Sequence, residues 1–289
     1  MSMSIDMFYD IFIDLQHGLR SIQWPNNAHE PDYVAKLVDV LPDLISHSLA
    51  HIMPGGKYAV GSAFIHQKPI AHFLSKSGYK NPELGDLLIV CRDKRFSCYA
   101  YNAILLQAKC ADNHSCVKIL NDHQYILYSE WPEFEYKRAG ILNGKKRGVL
   151  PKSITQGAQY LLIERDNRDD SSDVRLFTAT VDRPLSASMS FAGSLSLLLS
   201  FNTGRSFQFS RPRDDWSQMI LDLLRLSADA KFNRRNSHYV GAQRWNGDSS
   251  FLYLLNTKDT DRELIERYSP KGMGVICIDL DFSRDASED

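Results

Sequence analysis

Leu84-Gly85-Asp86-Leu87-Leu88-Ile89-Val90 and, after a polar interval, Ala103-Ile104-Leu105-Leu106-Gln107-Ala108-Lys109 decide how this chain is read. Both apolar runs are short, rich in leucine or β-branched residues, and bounded by polar or turn residues, so both read as buried strands. Roughly a dozen polar residues lie between them, which predicts a hairpin with an extended loop. Side chains alternate along a strand, so Gln107 and Lys109 share one face and Ala108 points to the other. Asp86 stands at the head of the first strand. A carboxylate opposite an amide oxygen and an ammonium group makes this pair of strands the chain's best candidate for chemistry, of a kind suited to phosphodiester cleavage.

Working outward, the sequence before the pair predicts helix and then strand. Residues 4–20 carry Ile5, Phe8, Ile11, Phe12, Leu15 and Leu19 at helical spacing, fitting an amphipathic helix or a short strand–helix piece. From Glu30, with Pro31 suited to a first turn, the stripe Val34, Leu37, Val38, Leu41 predicts a helix, with acids at its dipole's positive end. Pro42 is expected to kink or divide it. Residues 58–66 read as a strand, and residues 70–74 extend it or pair with it.

After Lys109, residues 117–130 fit a helix stopped at Trp131-Pro132. Residues 137–153 set Lys137, Arg138, Lys145, Lys146, Arg147 and Lys152 among glycines and read as a mobile cationic loop. Strands are expected at 159–164 and 177–181, around a solvated loop at 166–173. Residues 186–201 read as a helix or a strand–helix junction. Residues 216–226 form an amphipathic helix, and residues 275–282 a last strand before an acidic tail. The character changes near residue 183, predicting a core domain over residues 1–183 and a C-terminal subdomain over 184–289 packed on it.

With 289 residues the chain can bury a sizeable core. Its formal net charge of −1 excludes a generally polybasic nucleic-acid binder, so any such contact must come from a local basic face or a partner. No apolar run reaches the roughly 18–20 residues of a membrane span, and the N-terminus lacks the basic and apolar regions of a secretion signal. Five cysteines without framework spacing fit reduced thiols in a cytoplasm.

Gly85-Asp86 followed by Gln107-Ala108-Lys109, with a helix before and a helix after, resembles the PD-(D/E)xK phosphodiesterase superfamily. The resemblance spans roughly residues 30–165, and the Gln variant is similar to the Mrr-type branch. Glu83-Leu84-Gly85-Asp86 lacks the proline that names the motif. The implied fold is α/β: a restriction-endonuclease-like core, a mixed central sheet flanked by helices, with a C-terminal α+β elaboration. The implied function is Mg²⁺-dependent cleavage of DNA, as an endo- or exodeoxyribonuclease. Asp86, the Gln107 side-chain oxygen and the Ala108 carbonyl would hold the metal, and Lys109 would orient a water or stabilise charge on the phosphate. A neutral Gln leaves the site one negative charge short of the Glu form, which predicts weaker metal binding and Mn²⁺ favoured over Mg²⁺ in vitro.

Glu30 occupies a place where an additional metal-facing acid occurs in this superfamily. Gln124 (or Tyr128) would face the phosphate, and Lys145, Lys146 and Arg147 would contact nucleic acid. By analogy with how such domains are used, the setting is an effector subunit of a bacterial anti-phage or restriction system. A partner ATPase, helicase or sensor would work beside it, and a homodimer would supply two sites for double-strand breaks.

Two other readings stay open. One is a catalytically inactive nuclease-like scaffold or interaction subunit; the other, a small-molecule hydrolase, would need a deep apolar pocket. Lesser candidates are Cys110, Asp112, His114 and Cys116 as soft metal ligands, and Asp279 with Asp281 as a metal-binding pair on one strand face. Arg234 and Arg235 beside Tyr239 offer a stacking surface.

Overall fold

The computed structural model describes residues 5–24, 28–52, 57–65, 68–94, 100–112, 116–117, 122–165, 174–229, 234–240 and 272–281. The chain opens with α1 (Ile5–Arg20) and α2 (Glu30–Ile52), then β1 (Lys57–Ile65), β2 (Ile70–Ser75) and β3 (Gly78–Lys80). The pair quoted above forms β4 (Leu87–Asp93) and β5 (Ala100–Asp112), followed by β6 (Cys116–Val117), α3 (Asp122–Glu130) and β7 (Phe134–Lys137). A 3₁₀ turn at Gly140–Leu142 leads to β8 (Lys146–Arg147), β9 (Ala158–Arg165), β10 (Val174–Ala179), β11 (Leu185–Ser186) and β12 (Met189–Ser190). The remainder is α4 (Phe191–Leu199), β13 (Arg205–Ser206), α5 (Asp215–Asp229), β14 (Arg234–Val240) and β15 (Met273–Asp281).

A mixed nine-stranded sheet organises the molecule, in the order β12-β10-β9-β5-β4-β15-β1-β14, with β13 paired to β5. β4 and β5 run antiparallel from Leu87↔Leu106 to Asp93↔Ala100. Both strands extend into the polar interval, so the connection is shorter than its composition suggests. β5 also runs parallel to β9 from Leu105↔Ala158 to Asp112↔Arg165. Helices cover both faces. Ile11, Leu15, Leu37, Leu41 and Leu195 from α1, α2 and α4 pack on Leu87, Ile89, Leu106 and Ala108. Leu127 and Tyr128 of α3, with Ile220 and Leu223 of α5, pack on Leu88, Val90, Leu105 and Leu162. The structure is thus α/β, a mixed sheet flanked by helices.

Local chemistry accounts for the elements around the site. Asp32 accepts the His29 N–H at 2.8 Å while the Asp32 N–H bonds the His29 carbonyl at 2.9 Å, a reciprocal cap that starts α2. Of the two outcomes expected at Pro42, division does not occur, and the helix continues to Ile52. A proline inside a helix costs about 3 kcal/mol, but Leu37, Leu41, Ile45 and Leu49 bury one stripe on both sides of it and carry the helix through. The expected helix over 117–130 begins only at Asp122, since Cys116–Val117 pair with Leu185–Ser186 instead.

The basic stretch 137–153 is not an unstructured loop. β7 pairs β8 and β2 in a second sheet ordered β3-β2-β7-β8. Nor does the sheet respect a division at residue 183, because β15 lies between β4 and β1 at its centre. β15 is parallel to β4 from Gly274↔Leu87 to Leu280↔Asp93, and residues 273–280 are all buried. A strand apolar toward both faces belongs inside a doubly covered sheet, not in an appended subdomain. Gly274 allows this: a Cβ there would stand 2.4 Å from Val38 Cγ2 of α2.

At the far end of β4 and β15, Arg92 donates to Asp279 through Nε at 2.7 Å and Nη2 at 2.5 Å, and Lys94 lies 3.3 Å from the same carboxylate. Asp279 is therefore closed within a buried ion pair, and the Asp281 side chain, expected beside it, lies outside the described residues. Arg234 and Arg235 fall on β14, their side chains likewise outside the description. Among the described residues no helix is long and apolar enough to cross a membrane.

Candidate functional site

The site arises because β5 outruns β4. β4 begins at Leu87, opposite Leu106, whereas β5 continues to Asp112. Along a strand, the N–H and C=O of one residue point toward the same neighbour. The Leu106 carbonyl accepts the Asp86 N–H at 2.8 Å, so the even-numbered residues of β5 turn toward β4. Past the end of β4 their groups need other partners, and carboxylates supply them. Asp86 Oδ2 accepts the Ala108 N–H at 2.7 Å, and Glu30 Oε1, at the head of α2, accepts the Cys110 N–H at 3.0 Å. Two residues of strand separate these N–H groups by about 6.6–6.8 Å. The Ala108 carbonyl points to the same edge between them, so two acids flank one backbone oxygen.

Two amines and an amide complete the cluster. Gln107 donates Nε2 to Asp86 Oδ2. Lys109 bonds Glu30 Oε2 at 3.3 Å. Lys68, in the link between β1 and β2, reaches Asp86 Oδ1 at 2.5 Å and Glu83 Oε2 at 3.0 Å. Asp86 and Gln107 are 3% and 2% exposed. The Glu30 and Lys109 side chains keep 35% and 22% exposure, so the cluster meets solvent on that side.

Its electrostatics follow from burial. Desolvation presses the Lys68 ammonium toward neutrality, but attraction and hydrogen bonds from Asp86, and then from Glu83, outweigh it, so its pKa is raised. The Tyr128 phenol, whose hydroxyl donates to the Leu84 carbonyl at 2.8 Å, is pushed well up by burial and then by the Asp86 charge. The Tyr128 hydroxyl would also meet a Cβ at Gly85 at 3.1 Å, which keeps that position small before Asp86.

Among the buried side-chain oxygens without a hydrogen-bond partner are Gln107 Oε1 and Gln124 Oε1. Gln124 lies on α3 one turn before Tyr128. An unmet buried acceptor costs about 1–3 kcal/mol, a cost that a cation or donor seated there would remove. The oxygens of Asp86, Glu30, Gln107 and the Ala108 carbonyl are the hard donors that Mg²⁺ or Mn²⁺ takes. Half a turn of the Gln107 amide would exchange its donor and acceptor at Asp86. Among the described residues no three His, Cys, Asp or Glu side chains cluster as a metal site. Any ion here therefore depends on the amide and the carbonyl as well as the two acids.

Asp86, Gln107, Ala108, Lys109 and Glu30, all expected from sequence, thus come together, with Lys109 bonded to Glu30. Lys68 had no sequence signal, since its spacing to Asp86 belongs to no strand or helix period and only the fold brings it near.

The expected nucleic-acid contacts separate from this cluster. Arg147 donates to Asp222 at 2.8 and 2.6 Å and lies over the Tyr136 ring, so it serves β8–α5 packing. Lys146 faces Glu133 at 3.7 Å, and Lys145 is exposed. A cleft of about 640 Å³ is lined by Lys145, Arg147, Arg213, Asp215, Asp222 and Arg225, and it shares no lining residue with the Asp86 cluster. A deep apolar pocket of the kind a small-molecule hydrolase needs is not what these charged walls make. Beside Cys110, His114 and the side chains of Asp112 and Cys116 lie outside the described residues. The chain matches no protein-family model, no curated protein and no solved structure.

Proposed function

We propose that the chain is a metal-dependent nuclease of the PD-(D/E)xK kind that hydrolyses DNA phosphodiester bonds, as an effector subunit of an anti-phage or restriction system. One observation carries the reading: Asp86 and Glu30 flank the Ala108 carbonyl along the edge of β5 beyond β4, beside a buried Gln107 oxygen without a partner. The acid on one strand, Gln-x-Lys on the next, and α2 and α3 before and after them agree with it.

Asp86, Gln107 Oε1 and the Ala108 carbonyl would hold Mg²⁺ or Mn²⁺, with Glu30 alongside. Bound there, such an ion lowers the pKa of a water and polarises the phosphoryl group. Lys109, at the solvent-facing side, places positive charge where a phosphate enters and stabilises charge developing on its oxygens. Glu30 fixes the Lys109 ammonium and the β5 edge together. Tyr128 on α3 stands beside Asp86, its hydroxyl bonded to the Leu84 carbonyl, and Gln124 one turn earlier would face the phosphate.

A second reading, an inactive nuclease-like scaffold, draws on the low exposure of Asp86 and on the bonds its two oxygens already make. Supercoiled plasmid incubated with Mg²⁺ or Mn²⁺ separates the two, alongside a Mn²⁺-binding measurement. The nuclease reading expects nicking by the unaltered protein, and a loss of about 100-fold or more in Asp86→Ala and Lys109→Ala, as when a transition-state charge partner is removed. Equal cutting by all three proteins, or no Mn²⁺ bound at all, refutes it.

A further inference from the structure

Lys68 holds the one Asp86 oxygen that Gln107 and Ala108 leave free, and it sits between two acids. Its side chain is 12% exposed, that of Asp86 4% and that of Glu83 41%. Counted as charges, Asp86, Glu83 and Glu30 exceed Lys68 and Lys109 by one before any ion arrives. A divalent ion that takes Asp86 Oδ1 displaces the Lys68 ammonium and turns this excess into one net positive charge. An anion sharing the site offsets it. Glu83, 3.0 Å from the same nitrogen, gives Lys68 a place to remain once Asp86 is taken. The buried, partnerless Gln107 Oε1 on the other side of Asp86 is independent evidence that this corner accepts a further positive group.

Resting on the nuclease reading above, we propose that Lys68 is a positioning residue that makes divalent-ion binding at Asp86 conditional on a bound phosphodiester. In the free protein the ammonium competes for Asp86 Oδ1. With a phosphodiester present, its negative charge offsets the ion and the displaced lysine together, so ion and nucleic acid bind with positive coupling. Linkage makes the effect reciprocal.

Mn²⁺ titration of the full chain, read by the electron paramagnetic resonance signal of free Mn²⁺, tests this with and without a cleavage-resistant phosphorothioate duplex. Asp86→Ala serves as the blank for Mn²⁺ held by the duplex itself. The unaltered protein is expected to bind Mn²⁺ roughly ten- to hundredfold more tightly with the duplex, within the usual range of coupling between sites. Lys68→Met removes the competitor, so tight binding appears without duplex and the coupling shrinks; Lys68→Arg retains it. Glu83→Gln, an exposed change, acts in the opposite direction by leaving Lys68 only Asp86, and weakens Mn²⁺ binding to the free protein.

Equal affinity with and without duplex, or an unchanged free-protein affinity in Lys68→Met, overturns the inference while leaving the Asp86 site standing. Failure of every variant to bind Mn²⁺ under either condition removes the nuclease reading along with it. If Lys68→Met does not fold by circular dichroism, Glu83→Gln decides: weaker binding supports the proposal, and unchanged or tighter binding overturns it.

Discussion

Replacing Gln107 by glutamate tests the site without asking for activity. Gln107 Nε2 is a donor to Asp86, so the substitution puts two carboxylates in contact where one amide hydrogen bond now stands. Like charges about 4 Å apart repel by about 4 kcal/mol at an effective dielectric of 20. Lys68 and Lys109 offset part of this, leaving a destabilisation of about 2–3 kcal/mol in metal-free buffer. For a chain of this size that is roughly 3–5 °C in melting temperature. Mn²⁺ should reverse the order, since the added charge restores the ligand that a Gln site lacks. An ion at about 100 times its dissociation constant contributes about 2.7 kcal/mol. The assay is thermal unfolding of both proteins, in chelator and in millimolar Mn²⁺. A Gln107→Glu protein that melts with the unaltered one in chelator would refute the contact. One that gains no more from Mn²⁺ than the unaltered protein would refute the metal assignment.

Two further substitutions test the frame that holds the cluster. Asp279→Asn leaves Arg92 buried without its bidentate partner and should cost about 3 kcal/mol or more in urea unfolding. The double variant Arg92→Met, Asp279→Leu should recover much of it, and a double as unstable as the single would count against an ion-pair origin. Gly274→Ala would set a Cβ 2.4 Å from Val38 Cγ2 and 3.1 Å from Leu87 Cδ1, costing about 1–3 kcal/mol by overpacking. Val38→Ala in the same protein should relieve it, and a neutral Gly274→Ala would show that α2 does not press on β15 as described.

Periodicity and strand patterning were enough to find β4, β5, β9 and α5, because each carries its burial in its own residues. Position in the sheet was not legible in the same way. Residues 273–280 announce a strand but not its neighbours, and Asp279 suggests a polar face where the structure buries that carboxylate against Arg92. Pro42 does not divide α2 because the buried stripe on both sides of it outweighs the local penalty. At the site, strand alternation related Gln107 to Lys109, and Asp86 was visible by its place at the head of the neighbouring strand. Lys68 was not, because long-range contacts between a connector and a strand head leave no period to read. Arg147 looked free among glycines, yet its partner Asp222 lies on a helix distant in sequence.

β4 and β15 carry a buried acid near each end of their shared register, and the contrast between the two argues for function at one end alone. Asp279 is gripped by a guanidinium fork through two bonds, with Lys94 alongside. A planar bidentate partner fixes geometry and is expensive to exchange. Asp86 is met instead by an ammonium, a point charge on a flexible stem that has Glu83 as an alternative. Around Asp279 the charges close on themselves, whereas around Asp86 a buried amide oxygen goes unmet and a strand edge runs on to a half-exposed acid and lysine. A pair built only for stability would use the first arrangement at both ends. Choosing exchangeable partners at Asp86 gives up some rigidity, and the return is a carboxylate that can release one cation and accept another.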